Sequence, residues 1–286
     1  MSESICIVFC VERGYLERQA IGLAESIARF GRGRTPLELR AYSPRPDHWP
    51  APETIRHLIS LGVEWINEPL NTEFRHYPIA NKILATAHAE QTSTAEIVCF
   101  LDSDKYVLSP IEAMLLPTDS TIGLRPVNRK GPGSSGEDDP NDAYWQALIR
   151  DYGIDPEARV QTVVDNESIR PYFNAGFVIF RRAARHGLEW LSLFKQLHAE
   201  RRIPGTNERC MDQIALAVLV GASMKSVAIL PSGVNFPLPF AMMLQRNEAF
   251  VWPVTLVSIH YFKFRNSPDF EKWSEIARIP AAMLEF

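Results

Sequence analysis

The chain has 286 residues, 46% of them hydrophobic, with 30 Lys and Arg against 34 Asp and Glu and a formal net charge of −4. This is the make-up of a globular protein with a sizeable core, and it leaves no basic excess for nucleic acid or for an anionic membrane surface. Cysteine is sparse: Cys6, Cys10, Cys99 and Cys210 all lie in apolar stretches and form no C-x-x-C pair. That pattern fits reduced core thiols in a cytoplasmic protein better than disulfides or a zinc site. The N-terminal run lacks a basic flank and a cleavage site, so it reads as a strand rather than a signal peptide. No stretch is long enough to span a bilayer, which leaves only peripheral membrane contact open.

In chain order, "ICIVFCV" (5–11) is a continuous apolar run rich in β-branched residues, as expected of a strand buried on both faces. "YLERQAIGLAESIARFG" has helical spacing at Leu16, Ala20, Leu23 and Ile27 and stops at Gly31. "LELRAYS" predicts a second strand, "ETIRHLISLGVEWI" a helix, a glycine stop and a short strand, and "IANKILATAHAEQ" a third helix. "AEIVCFLD" (95–102) predicts another buried strand. This alternation predicts a parallel, doubly wound sheet through about residue 105. The rhythm then changes. "STIGLRPV" predicts a strand, and "NRKGPGSSGEDDPND" (128–142) a mobile loop rich in Gly, Pro, Ser and Asp. Helices follow in "AYWQALIRDYG", "AARHGLEWLSLFKQLHAE" and "CMDQIALAVLVGA", and strands in "RPYFNAGFVIFR", "SVAILP" and "VTLVSIHYF". We expect one domain, 1–286, with a nucleotide-binding half (1–105) and a mixed half (106–286).

The chemistry concentrates at strand ends. Asp102 and Asp104 leave the C-terminal end of a buried strand, the edge at which open α/β sheets bind ligands. Two carboxylates so close repel unless a cation joins them, and hard oxygen ligands suit Mg²⁺ or Mn²⁺. The alternative is an Asp capping the next turn beside a solvated partner. His260 ends another apolar run; as a third ligand it would favour Mn²⁺, and as a plain strand-end histidine it would only be hydrogen-bonded. Asp212 and Gln213 open a helix that is otherwise almost wholly apolar. They read either as a dipole-favoured helix start or as a polar pair facing a ligand. Asn174, Ala175 and Gly176 interrupt the bulky strand "YFNAGFVIF", which predicts either a bulge or a strand passing beneath a ligand.

Together, "AEIVCFLDSDKYVL", "YFNAGFVIF", "MDQIAL" and "SIHYF", in this order, resemble the A-type, Rossmann-like nucleotide-sugar glycosyltransferases of the glycogenin and bacterial galactosyltransferase group. The resemblance spans nearly the whole chain. It implies an α/β fold with a mostly parallel sheet flanked by helices, and transfer of a sugar from a nucleotide diphosphate donor, expected to be a UDP-sugar. The implied acceptor is a hydroxyl of a glycan, a lipid-linked molecule or a protein. Retention follows if the relatives' stereochemistry carries over. It further implies that Asp102, Asp104 and His260 bind Mn²⁺ or Mg²⁺, with Ser103 between the two aspartates at the donor. Tyr15 would stack near the uracil, with the Val11–Glu12 backbone alongside, and Lys82 would contact the donor. Asn174, Ala175 and Gly176 would line the sugar pocket, and Asp212 and Gln213 would lie near the anomeric carbon. The family's metal-binding His is followed by Gly and then Lys-Pro-Trp. Here "HYFKFRNSPDFEKW" has neither the Gly nor the Pro-Trp, and Lys263, the remaining candidate for the diphosphate, comes three residues after His260.

Two rival readings stand beside this one. A non-catalytic nucleotide-sugar or glycan binder of the same fold would share the donor site. In the other, "VCFLDSDKYV" is the nucleophile strand of a haloacid-dehalogenase-like phosphatase, with Asp102 attacking phosphorus.

Overall fold

The computed structural model describes residues 3–205, 208–222, 224–248, 250–262 and 265–280. The first half alternates as expected: β1 (Ile5–Cys10), α1 (Tyr15–Ser26), β2 (Leu37–Tyr42), α2 (Pro52–Ser60), β3 (Glu64–Ile66), α3 (Ala80–Thr92) and β4 (Ile97–Leu101). β4, β1, β2 and β3 lie side by side and all parallel. Their apolar runs are continuous because both faces are covered. Along β1, Ile5, Ile7 and Phe9 join the core cluster on one face, and Cys6 and Val8 the cluster on the other.

β5 (Lys105–Val107), β6 (Ile122–Pro126), α4 (Asp142–Tyr152), β7 (Val160–Gln161), β8 (Ser168–Ile169) and β9 (Phe173–Arg181) follow. After them come α5 (His186–Ala199), α6 (Met211–Gly221), β10 (Val227–Ile229), β11 (Phe236–Pro237), α7 (Ala241–Arg246), β12 (Ser258–His260) and α8 (Phe270–Ile276). β9 wedges between β4 and β6 and runs antiparallel to both, completing a seven-stranded sheet in the order β10-β6-β9-β4-β1-β2-β3. A second sheet, β11-β12-β5, sets Lys105 directly opposite His260.

The interrupted strand is a bulge. Leu124 of β6 faces Val178, but Pro126 faces Phe173, so the register shifts across Asn174–Gly176. Phe173 and Ala175 therefore pack into the same core cluster as Val178 and Phe180, although their positions differ by an odd number. The bulge turns this end of β9 toward the end of β4, where Asp102 N donates to Gly176 O at 2.8 Å.

Segment 128–142 carries no regular element before α4 but is well bonded. Asp139 pairs with Lys130, Asp142 is buried against Arg170, and Trp145 Nε1 donates to Pro132 O at 2.8 Å.

Candidate active site

The ends of β1 and β4 and the start of α1 enclose a cleft of about 300 Å³ whose lining includes Glu12, Tyr15, Lys82, Asp102, Ser103 and Asp104. Tyr15, at the first turn of α1, is 60% exposed at the rim of the cleft. Glu12 is buried and built into the wall: it pairs with Arg45 and accepts from Asn81 Nδ2 at 2.8 Å. Val11 is fully buried, and its backbone N–H and C=O are engaged by Tyr42 O and Ser43 Oγ. Ser103 Oγ donates to Cys10 O, tying the turn after β4 to the end of β1.

Behind the cleft, Lys82 on α3 bridges two carboxylates. Its Nζ lies 3.1 Å from Asp102 Oδ1 and 3.1 Å from Asp212 Oδ2. Burial alone would lower the lysine's pKa, but the two carboxylates outweigh it and hold the pKa above its ordinary value. The two ends of the second bridge do not match. Burial pushes Asp212 up despite Lys82, because one ammonium shared between two carboxylates cannot fully compensate the deeper of them. Asp212 is 2% exposed, and its buried Oδ1 has no hydrogen-bond partner among the described residues. Its backbone carbonyl accepts from Trp190 Nε1, which anchors the start of α6; Gln213 follows, half-buried.

Asp104 and His260 meet across the second sheet, with His260 Nε2 3.2 Å from Asp104 Oδ1. Burial lowers the histidine's pKa, Lys105 lowers it further, and Asp104 opposes both. For Asp104, burial raises the pKa, but His260 and the two nearby lysines overcome it, so the carboxyl lies well below its usual range. The two atoms stand at about the span of neighbouring ligands in an octahedron with bonds of about 2.1 Å. Two carboxylates and an imidazole are a donor set suited to Mn²⁺ or Mg²⁺. Among the described residues, however, no three His, Cys, Asp or Glu side chains are gathered as a cation cage. The Asp102 carboxylate is turned onto Lys82 instead. Of the three ligands expected from sequence, two are therefore in contact, and the third lies two residues along the chain, held by a lysine.

Gly176 has a defined function in this geometry. A Cβ there would stand 2.2 Å from Asp102 Oδ2, so the glycine leaves space for the aspartate. Asn174 caps the same bulge through Oδ1, which accepts from Gly176 N at 3.0 Å, and Ala175 packs into the core. Lys263 lies outside the described residues.

Three buried side chains near this cluster were not singled out in the sequence. Lys105 is 0% exposed, its Nζ is 3.9 Å from Asp104 Oδ1, and burial lowers its pKa. Arg125 on β6 is 3% exposed and donates to Val234 O and Asn235 O. Asn235 donates to Asn174. A lone cation inside an apolar run was the available signal for Arg125, and a lysine opening the apolar run Tyr106–Leu108 straight after Asp104 the one for Lys105.

A mixed, mostly parallel sheet with an acidic and histidine cluster beside a strand-end cleft defines an A-type glycosyltransferase fold. A family model described as a Rhodobacterales glycosyltransferase domain matches residues 7–223, and the chain belongs to that family; it is a glycosyltransferase. No curated protein matches the sequence. Among solved structures, the apo form of mouse xyloside xylosyltransferase 1 is similar at 13% identity, covering 91% of this chain and 97% of that one with a TM-score of 0.53. The galactosyltransferase LgtC, solved with donor and acceptor sugar analogues, is similar at 15% identity, covering 96% and 95% with a TM-score of 0.56. The glycosyltransferase GlyE of Streptococcus pneumoniae is similar at 17% identity, covering 99% of this chain and 62% of that one with a TM-score of 0.56. At these identities the likeness establishes the fold. The family match sets aside both the phosphatase and the non-catalytic readings. Among the described residues no helix is long and apolar enough to cross a membrane.

Proposed function

We propose that the protein moves a sugar from a UDP-sugar to the hydroxyl of a glycan, lipid-linked or protein acceptor, with retention at the anomeric carbon, and that it does so with a divalent cation. Asp102, Asp104 and His260 would hold the ion, with the imidazole favouring Mn²⁺ over Mg²⁺. The observation that carries this reading is the contact of Asp104 with His260, residues from distant parts of the chain, beside a cleft that also contains Tyr15 and Asp102. Four cysteines outside any disulfide, two of them buried, fit a reducing, cytoplasmic compartment.

A cation held by Asp102, Asp104 and His260 would supply positive charge to the diphosphate leaving group. The chain's own residues do the rest. Tyr15 takes the base on its exposed ring, and the wall built on Glu12 and Arg45 shapes the far side of the nucleotide site. Lys82 fixes Asp102 and Asp212 relative to one another and supplies positive charge beside the donor. Asp212 and Gln213, on a rigid helix start, would lie near the reacting sugar carbon, and orientation supplies much of the remaining rate.

Calorimetric titration of UDP with and without Mn²⁺ tests the reading. UDP is expected to bind only with Mn²⁺, and Asp104→Ala is expected to abolish that binding. UDP binding that survives Asp104→Ala without metal would show that the cation assignment is wrong. Tyr15→Ala is expected to weaken UDP about tenfold, in line with roughly 1–3 kcal/mol for stacking a base on an aromatic ring. Its melting temperature should not move, because the ring is exposed; a large drop in melting temperature would argue for a structural ring.

A further inference from the structure

Asn174 meets the site as a half-buried amide in the bulge of β9. Its Oδ1 accepts two hydrogen bonds, one from Gly176 N at 3.0 Å and one from Asn235 Nδ2 at 3.2 Å. A carbonyl oxygen has two lone pairs, so its accepting capacity is used up. The orientation follows from the network: the Gly176 backbone N–H can only donate, so the oxygen must face it. What Asn174 has left to offer is its NH₂ group.

Asn235 enforces the same orientation from the other side. It is 4% exposed and adopts a left-handed backbone with φ of 55°. Its backbone N–H donates to Ser258 Oγ at 2.8 Å. Its carbonyl and that of Val234 accept from Arg125 Nη1 at 2.6 and 2.7 Å. No carboxylate among the described residues pairs with Arg125, and burial draws its pKa down to about 9. A buried guanidinium without a counter-charge is costly to the fold. This one is spent on fixing the backbone at Val234 and Asn235.

We propose that Asn235, clamped by Arg125, is a positioning residue that locks the Asn174 amide with its NH₂ toward the donor sugar, so that a sugar hydroxyl is recognised there as a hydrogen-bond acceptor. The inference rests on the reading of the cleft as a UDP-sugar site. It makes the 174–235 pair a determinant of which UDP-hexose is accepted. Asn235 supports the contact without making it.

The test compares UDP with UDP-hexoses, and with the 2-, 3-, 4- and 6-deoxy forms of the best donor, on the full chain with Mn²⁺. Asn235→Gly tolerates the left-handed backbone and removes the clamp. Asn235→Asp also tolerates that backbone but sets a carboxylate against Asn174 Oδ1, which should turn the amide over. UDP affinity is expected to stay within about twofold of wild type in both variants. UDP-hexose affinity should fall about tenfold in Asn235→Asp and less in Asn235→Gly, in line with one misdirected hydrogen bond. For one deoxy donor, the one lacking the contacted hydroxyl, the penalty should vanish. An unchanged ratio of UDP-hexose to UDP affinity in both variants overturns the proposal, as does an equal loss for both ligands. Failure of wild type to bind UDP with Mn²⁺ overturns the donor-site reading and this inference with it.

Discussion

Replacing Lys82 by methionine is expected to abolish transfer and to lower the unfolding free energy by about 3–5 kcal/mol, as removing one partner of a buried ion pair does. The ammonium bridges Asp102 and Asp212, and Asp212 is 2% exposed, so its charge is left in a poorly solvated site once the lysine is gone. The pH dependence has a definite sign. Asp212 already has a raised carboxyl pKa in the folded state, chiefly through burial. Stability linked to such a group is fully present below its unfolded pKa and is lost as the pH rises through the folded value. Without Lys82 that folded value climbs further, so Lys82→Met should be less stable at pH 8 than at pH 5 by more than the wild type is. In the double variant Lys82→Met/Asp212→Asn, most of the lost stability should return without activity. Denaturant melts at the two pH values measure this. Equal melts for Lys82→Met at both pH values would mean that Asp212 does not depend on the lysine.

Gly176→Ala is expected to cost at least about a hundredfold in activity while changing stability by only about 1–2 kcal/mol. The added methyl would fall 2.2 Å from Asp102 Oδ2 and 3.1 Å from Asn174 Oδ1, so the carboxylate must move most and the Asn174 amide by a few tenths of an ångström. Asp102 would be driven from its contact with Lys82 and out of reach of a shared cation. The backbone at Gly176 does not need a left-handed conformation, so the damage is steric and local. Steady-state kinetics across a Mn²⁺ series read it directly: the Mn²⁺ requirement should rise with the loss of activity. Unchanged turnover and Mn²⁺ dependence would mean that Asp102 can move aside freely, and its assignment as a ligand would fall.

Bulge and ligand pocket were posed as alternatives for "YFNAGFVIF", and the fold has the bulge beside the site. The extra backbone in β9 carries Asn174 outward and brings Gly176 under Asp102, so the irregularity positions the aspartate. The acids of segment 128–142 illustrate the limit of composition. Asp139 and Asp142 look like solvent-facing charges in a Gly- and Pro-rich stretch, yet they are buried against Lys130 and Arg170. A charge run says nothing of its partners when those lie elsewhere in the chain.

The sequence by itself determined the first half of the fold and the strand end at which Asp102 and Asp104 emerge. Continuous apolar runs form strands only where both sheet faces are covered, and "ICIVFCV" and "AEIVCFLD" are such runs. Polar residues that end such strands, Asp102 and Asp104 among them, then emerge at the C-terminal edge of the sheet, the edge at which open α/β sheets bind ligands. Only the tertiary structure decided which of these residues meet. The antiparallel insertion of β9 between β4 and β6, the pairing of β5 with β12 that brings His260 to Asp104, and the Lys82 bridge are all contacts between distant segments. Local periodicity carries no information about them. The buried cations Lys105 and Arg125 were hidden for the same reason: what a single buried charge costs or does depends on the groups that fold around it.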